Sequence, residues 1–215
     1  MQSDGHAIYL KFDDGFLPYA RACLNSLRVN FPAHPQILAD YHGDDSDMYR
    51  LLAAMSVELL PPERPPAFMQ HVRLARVGDA ISDRFRLFRS GLNQYQTILH
   101  LDADVLVLRP LDDLFDRPAP FFVANHEPDP AVRIFLPAAL PQLRALLRED
   151  GLPVPDGPDD MANGGLFTLP RAVRTPQTLA HLARLAARYG KWFAYADQSL
   201  LSLWLLARGE RPTLD

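Results

Sequence analysis

Two rhythms alternate along this chain: short continuous apolar runs, and longer stretches whose apolar residues recur at helical spacing. Such alternation predicts an α/β fold. Residues 7–12 read as a first strand and 17–30 as the helix after it. A second strand follows at 35–40, a helix at 44–54 and a short third strand at 57–60. Pro61, Pro62, Pro65 and Pro66 exclude helix interior and central strand from the next stretch. Neither side of it holds an independent core, so it reads as a surface loop near the site rather than a linker. Residues 73–95 read as one or two helices, with boundaries blurred by Gly78 and Gly91. Residues 97–101 form a strand that delivers Asp102 and Asp104, and 105–108 continue as an extended apolar run. A strand at 121–125, a helix at 136–148 and a proline- and aspartate-rich loop at 151–160 follow. A strand at 165–169 and helices at 175–189 and 197–207 complete the chain. There is no internal repeat, and a single domain is expected.

Composition narrows the class. At 215 residues, 48% hydrophobic and 22% charged, the chain has an ordinary globular balance and can bury a sizeable core. No apolar run approaches the roughly 20 residues that span a bilayer. The first residues lack the basic and apolar regions of a signal peptide. One cysteine, Cys23, precludes an internal disulfide and fits a reducing compartment. The expectation is a cytoplasmic protein, or one peripheral to the inner membrane face. A net charge of -4 argues against a nucleic-acid partner. Lys11 and Lys191 are the only lysines, and this arginine bias with abundant alanine and proline points to a GC-rich bacterial genome.

The chemistry begins with the segment ILHLDADVLVL. Side chains two apart on an extended segment share a side, so Asp102 and Asp104 are expected to present two carboxylates together. Like charges at the end of an apolar strand call for a cation between them. Hard oxygen ligands suit Mn2+ or Mg2+, which can bridge to diphosphate oxygens. The alternative is strand-end aspartates paired with arginines.

ILHLDADVLVLRPLDDLFD resembles the DxD segment of glycosyltransferase family 8, which includes glycogenins and bacterial lipopolysaccharide galactosyltransferases. Three more blocks follow the family's order: LKFDDGFLPYARACLNSL resembles its opening strand and nucleotide loop, DMANGGLF its D-x-x-N-S/G-G segment, and ADQSLL its D-Q-x-x-L segment. The resemblance implies a GT-A fold, a Rossmann-like α/β/α sandwich around a central mixed sheet. It also implies a hexose moved from a nucleotide-diphosphate sugar, UDP-hexose above all, with retention, to a glycan, lipid-linked or protein acceptor.

By that resemblance Leu10, Phe12, Asp13 and Phe16 line the base and ribose pocket, although Leu10 and Phe12 read equally as strand core and Asp13 as a turn residue. Arg86 faces the diphosphate or sugar, or else lies on an exposed helix face. Ala103 lets the nucleotide approach. Asp160, Asn163, Gly164 and Gly165 surround the sugar, the glycines leaving room for it; an ordinary turn is the alternative. Asp197 binds sugar hydroxyls and Gln198 sits on the sugar face, although Asp-Gln alone is a helix-start pattern. Two departures stand out. The family's third metal ligand, a histidine in a C-terminal H-x-x-G-x-x-K-P-W-type segment, has no counterpart before Asp215, and Asn-Ser-Gly is Asn163-Gly164-Gly165 here. His100 and His126 are weak substitutes, His100 reading as a packed core histidine.

Two rivals remain. A haloacid-dehalogenase-type phosphatase would use Asp102 as nucleophile but needs a lysine and then an acidic pair, which the sequence after Lys191 lacks. A non-catalytic nucleotide-sugar-binding relative fits the missing ligand but not the intact Asp102-Ala103-Asp104, Asn163 and Asp197-Gln198.

Overall fold

The computed structural model describes residues 5–72, 84–117, 120–124, 135–155 and 161–212. Asp160, His126, the 73–83 part of the expected helical stretch and the end of the 151–160 loop lie outside them. Six strands, β1 His6–Asp13, β2 Gln36–His42, β3 Glu58–Leu59, β4 Thr97–Asp102, β5 Phe121–Ala124 and β6 Ala162–Pro170, form one sheet of order β3-β2-β1-β4-β6-β5. β1 runs parallel to β2 and β4, whereas β6 is antiparallel to β4. The sheet is therefore mixed, and the α/β architecture is as expected.

The described residues group into two compact units, each built from separated stretches of chain. The first comprises Met1–Arg64, Ser90–Pro120 and Gly165–Arg174. Its centre is β1, buried along six consecutive residues, which is why the sequence reads as a continuous apolar run. α1 (Leu17–Asn30) follows, entered through Pro18 in its first turn, where a missing N–H costs nothing. Its buried residues Ala20, Cys23, Leu24 and Leu27 make one helical stripe. α2 (Ser46–Ala54) is capped by Asp45, whose carboxylate accepts the Met48 N–H at 2.6 Å. A short α3 (Asp112–Phe115) lies downstream of β4.

The second unit comprises Pro65–Arg89, Phe121–Gly164 and Thr175–Asp215. The proline-rich stretch is where the chain leaves the first unit, and it carries no regular structure before a 3-10 turn at Ala67–His71. α4 (Leu140–Glu149), α5 (Pro176–Tyr189) and α6 (Ala196–Ala207) belong to this unit. α6 is buried nearly all round, from Ala196 to Leu206, and so is the unit's central element. Where one or two helices were expected before residue 95, the chain makes 3-10 turns at Arg84–Phe88 and Ser90–Leu92. Phe85, Arg86, Leu87 and Phe88 are all buried, a run that no one-sided surface helix could satisfy. No helix among the described residues is long and apolar enough to cross a membrane.

Candidate active site

β4 carries the apolar run to Asp102, its last residue, and the chain then turns. The Val105 N–H donates to the Asp102 carbonyl at 3.2 Å, leaving Ala103 buried and Asp104 exposed on the turn. Here the structure corrects the sequence reading, because Asp104 lies on a turn rather than on an extended segment, and the apolar run 105–108 follows outside any strand. The cause lies in α1. Ser26 Oγ accepts the Val107 N–H at 2.9 Å, and Asn30 Nδ2 donates to the Val107 carbonyl at 2.9 Å. Side chains of the helix thus take the backbone groups that a strand partner would have taken. Both carboxylates lie near enough to α1 for their charges to reach Cys23. The Cys23 thiol is pushed up to about 12, by burial first and then by the charges of Asp104 and Asp102.

His100, two residues before Asp102, points to the same side of β4 and is fully buried between Tyr9 and Phe167, with ring centroids 5.8 and 4.7 Å away. Its Nε2 lies 3.1 Å from Asp102 Oδ1. The packed histidine expected from the sequence therefore also holds a candidate metal ligand in place. Register sets Lys11 of β1 beside Asp102 on one flank and Asp40 of β2 on the other. Lys11 Nζ is 2.8 Å from Asp40 Oδ2, which also accepts from the Tyr9 hydroxyl at 2.7 Å, and His42 Nε2 lies 3.0 Å from Asp40 Oδ1. This buried charged row is not legible in local pattern, since its partners come from different strands.

At the carboxyl end of β1, Leu10 and Phe12 are core, with Phe12 stacked on Tyr41 at 5.1 Å. Asp13 is the turn residue: its Oδ1 accepts the Gly15 N–H at 2.9 Å and caps the short helix that leads into α1. Asp14 accepts from the Tyr41 hydroxyl, which holds its carboxyl below the usual range. Phe16 is half-buried, its ring 6.2 Å from that of exposed Tyr19.

The remaining candidates lie in the second unit, except Gly165. Asn163-Gly164-Gly165 is not a turn; it lies within β6, with Asn163 exposed, Gly164 buried and Gly165 half-buried. Arg86 is buried rather than on an exposed face. Asp197, in the first turn of α6, is buried and accepts the Gln198 N–H at 2.8 Å through Oδ1. Its other oxygen receives the Arg84 guanidinium in an ion pair. Gln198 is half-buried beside it. Arg84 was missed by the sequence reading, which chose Arg86 from the same run; the partner that distinguishes Arg84 is 113 residues away.

α6 organises this group. Ser202 Oγ accepts the Ala162 N–H at 3.0 Å and fixes the start of β6. Trp204 meets Phe88 edge-on at 5.4 Å and anchors the turn that bears Arg84.

As a donor set for a hard divalent cation, Asp102 and Asp104 fit as far as they go: one exposed carboxylate and one part-exposed, the latter steadied by His100. Among the described residues, no group of three or more His, Cys, Asp or Glu side chains is gathered to hold a metal.

No protein-family model matches this sequence, and no curated protein matches it either. Solved structures do match. The galactosyltransferase LgtC, in complex with donor and acceptor sugar analogues, superposes with a TM-score of 0.65 and 18% identity over 95% of this chain and 72% of that one. The apo glycosyltransferase GlyE of Streptococcus pneumoniae gives 0.61 and 14%, over 99% of this chain and 46% of that one. Core-mannan synthase A of Aspergillus fumigatus, in an Mn/GDP form, gives 0.59 and 14%, over 94% and 70%. The mixed α/β fold is that of these GT-A glycosyltransferases.

Proposed function

We propose that this protein is a metal-dependent glycosyltransferase of the family 8 type, moving a hexose from a UDP-sugar to a glycan, lipid-linked or protein acceptor with retention. The observation that carries the reading is the Asp102-Ala103-Asp104 turn at the carboxyl end of β4, in a chain with a GT-A fold. Ligands of open α/β sheets bind outside the carboxyl ends of the strands, and β1 and β4 are parallel neighbours that end together here. One neighbour is crystallised with donor and acceptor sugar analogues and another with Mn/GDP, which supports a nucleotide-sugar donor and a divalent metal.

In this account Asp102 and Asp104 would hold Mn2+ or Mg2+, which when bound supplies positive charge to the leaving diphosphate. Buried Ala103 keeps that turn narrow for the nucleotide. Asp13 and Phe16 meet the ribose and base, and Leu10 and Phe12 brace the strand end beneath them. Arg86 answers the donor's negative charge. Asn163, Gly165, Asp160 and Asp197 surround the sugar, and Gln198 faces its anomeric carbon. The bond from that carbon to the diphosphate breaks as the bond to the acceptor oxygen forms, and the acceptor proton passes to the departing phosphate oxygen. Positioning and electrostatics then supply most of the catalysis.

The test is a panel of nucleotide-sugars scored by thermal shift with and without Mn2+, followed by hydrolysis assays. A ligand at 100 times its Kd adds about 2.7 kcal/mol. UDP-hexoses should raise the midpoint only with metal present and be hydrolysed slowly. Binding without any turnover would instead identify a non-catalytic relative, and no response would refute the reading.

A further inference from the structure

Arg84 connects two residues that the family resemblance assigns to the sugar independently. Its Nη1 donates to Asp197 Oδ2, and the two side chains are only 12% and 9% exposed. The same guanidinium covers Gly164. A Cβ built on that glycine would lie 2.6 Å from Arg84 Nη1, closer than real side chains approach, and 3.3 Å from its Cζ, so the guanidinium would have to shift from its place on Asp197. A glycine inside a strand marks a close approach by something else, and here that something is the guanidinium. Asp197 has its other oxygen on the Gln198 N–H, so both of its oxygens are directed by the protein. A carboxylate at a helix N-terminus is stabilised by the helix dipole, and the arginine then fixes its rotamer.

We infer that Arg84, Gly164 and Asp197 act as one unit, in which the glycine admits the guanidinium and the guanidinium positions the carboxylate that meets the transferred sugar. Arg84 is thus a positioning residue, and Gly164 is small for the sake of Arg84 rather than for the hexose. The scaffold supports this division. The Phe88–Trp204 contact holds the turn that bears Arg84, and the Ala162–Ser202 bond holds the strand that bears Gly164. Both anchors belong to α6, the helix whose first turn presents Asp197. The inference rests on the proposed sugar-side role of Asp197.

A double-mutant cycle of Gly164→Ala and Arg84→Met tests it, with UDP-hexose turnover, UDP affinity and thermal midpoint read for all four proteins. Each single variant should lower kcat at least tenfold and leave UDP affinity within twofold. In the Arg84→Met background the added alanine should cost less than twofold in kcat and should not lower the midpoint further. Arg84→Lys should recover part of the activity. Equal cost of the alanine in both backgrounds would overturn the inference while leaving the transferase intact. If the parent protein turned over no nucleotide-sugar, the functional reading would fail, and the midpoints alone would still decide whether the glycine serves the arginine.

Discussion

His100 holds Asp102: its Nε2 stands 3.1 Å from Asp102 Oδ1, on a ring fully buried between Tyr9 and Phe167. An outer partner of this kind orients a ligand and typically changes metal affinity by about 10- to 100-fold when removed. His100→Phe keeps the aromatic packing and deletes the polar contact. Its metal-dependent gain in UDP affinity should fall about tenfold, with metal-free UDP affinity and thermal midpoint little changed. Loss of both binding modes together would make His100 a packing residue and nothing more.

Lys11 and Asp40 are almost wholly enclosed, with side chains 4% and 2% exposed. Removing one member of such a pair strands a charge and costs about 3–5 kcal/mol, whereas replacing both with apolar groups is often neutral. Urea unfolding of Lys11→Met should therefore show a large loss, and Lys11→Met with Asp40→Leu should regain most of it. A double variant no better than the single would show that the Tyr9 and His42 contacts to Asp40, not the ion pair, hold this row together.

Asp150 closes α4 and accepts from Arg188 Nε and Nη2, each at 2.9 Å, and from the Tyr189 hydroxyl. The Arg188 bonds first, and Tyr189 next, hold its carboxyl below the usual range. A carboxyl whose pKa is depressed on folding stabilises fully above its unfolded value, about 3.9, and that contribution is lost as pH falls through the folded value. The urea midpoint of Asp150→Asn should thus lie below that of the parent at pH 7, and the gap should narrow between pH 4 and pH 3. A gap that does not change with pH would assign the effect to α4 capping alone.

The parts of this molecule that follow a single periodicity were legible in its sequence. α1 spans the expected residues because Ala20, Cys23, Leu24 and Leu27 bury one stripe, and β1 because both its faces are covered. What escaped depends on contacts far apart in the chain. The backbone of Val107 is taken by Ser26 and Asn30, partners on α1 that the apolar run after Asp104 does not disclose. Gly164 and Gly165 read as room for the sugar, because the arginine that fills the space over Gly164 is invisible to local pattern. Arg84 and Arg86 are equivalent by spacing and composition, and only tertiary structure gives Arg84 its ion pair. The Lys11–Asp40 pair likewise depends on the register between β1 and β2.

The central claim is that Asp102 and Asp104 bind the donor through a divalent ion, and calorimetry of UDP binding with Mn2+, with chelator, and with Asp104→Asn tests it most directly. Two carboxylates fill only part of a hard cation's shell, so the diphosphate should add to it and the two should bind cooperatively. By reciprocity UDP should tighten Mn2+ by the same factor that Mn2+ tightens UDP. The account predicts that chelator weakens UDP binding at least tenfold, about 1.4 kcal/mol, and that Asp104→Asn does the same in the presence of Mn2+. UDP affinity equal in all three experiments would contradict it.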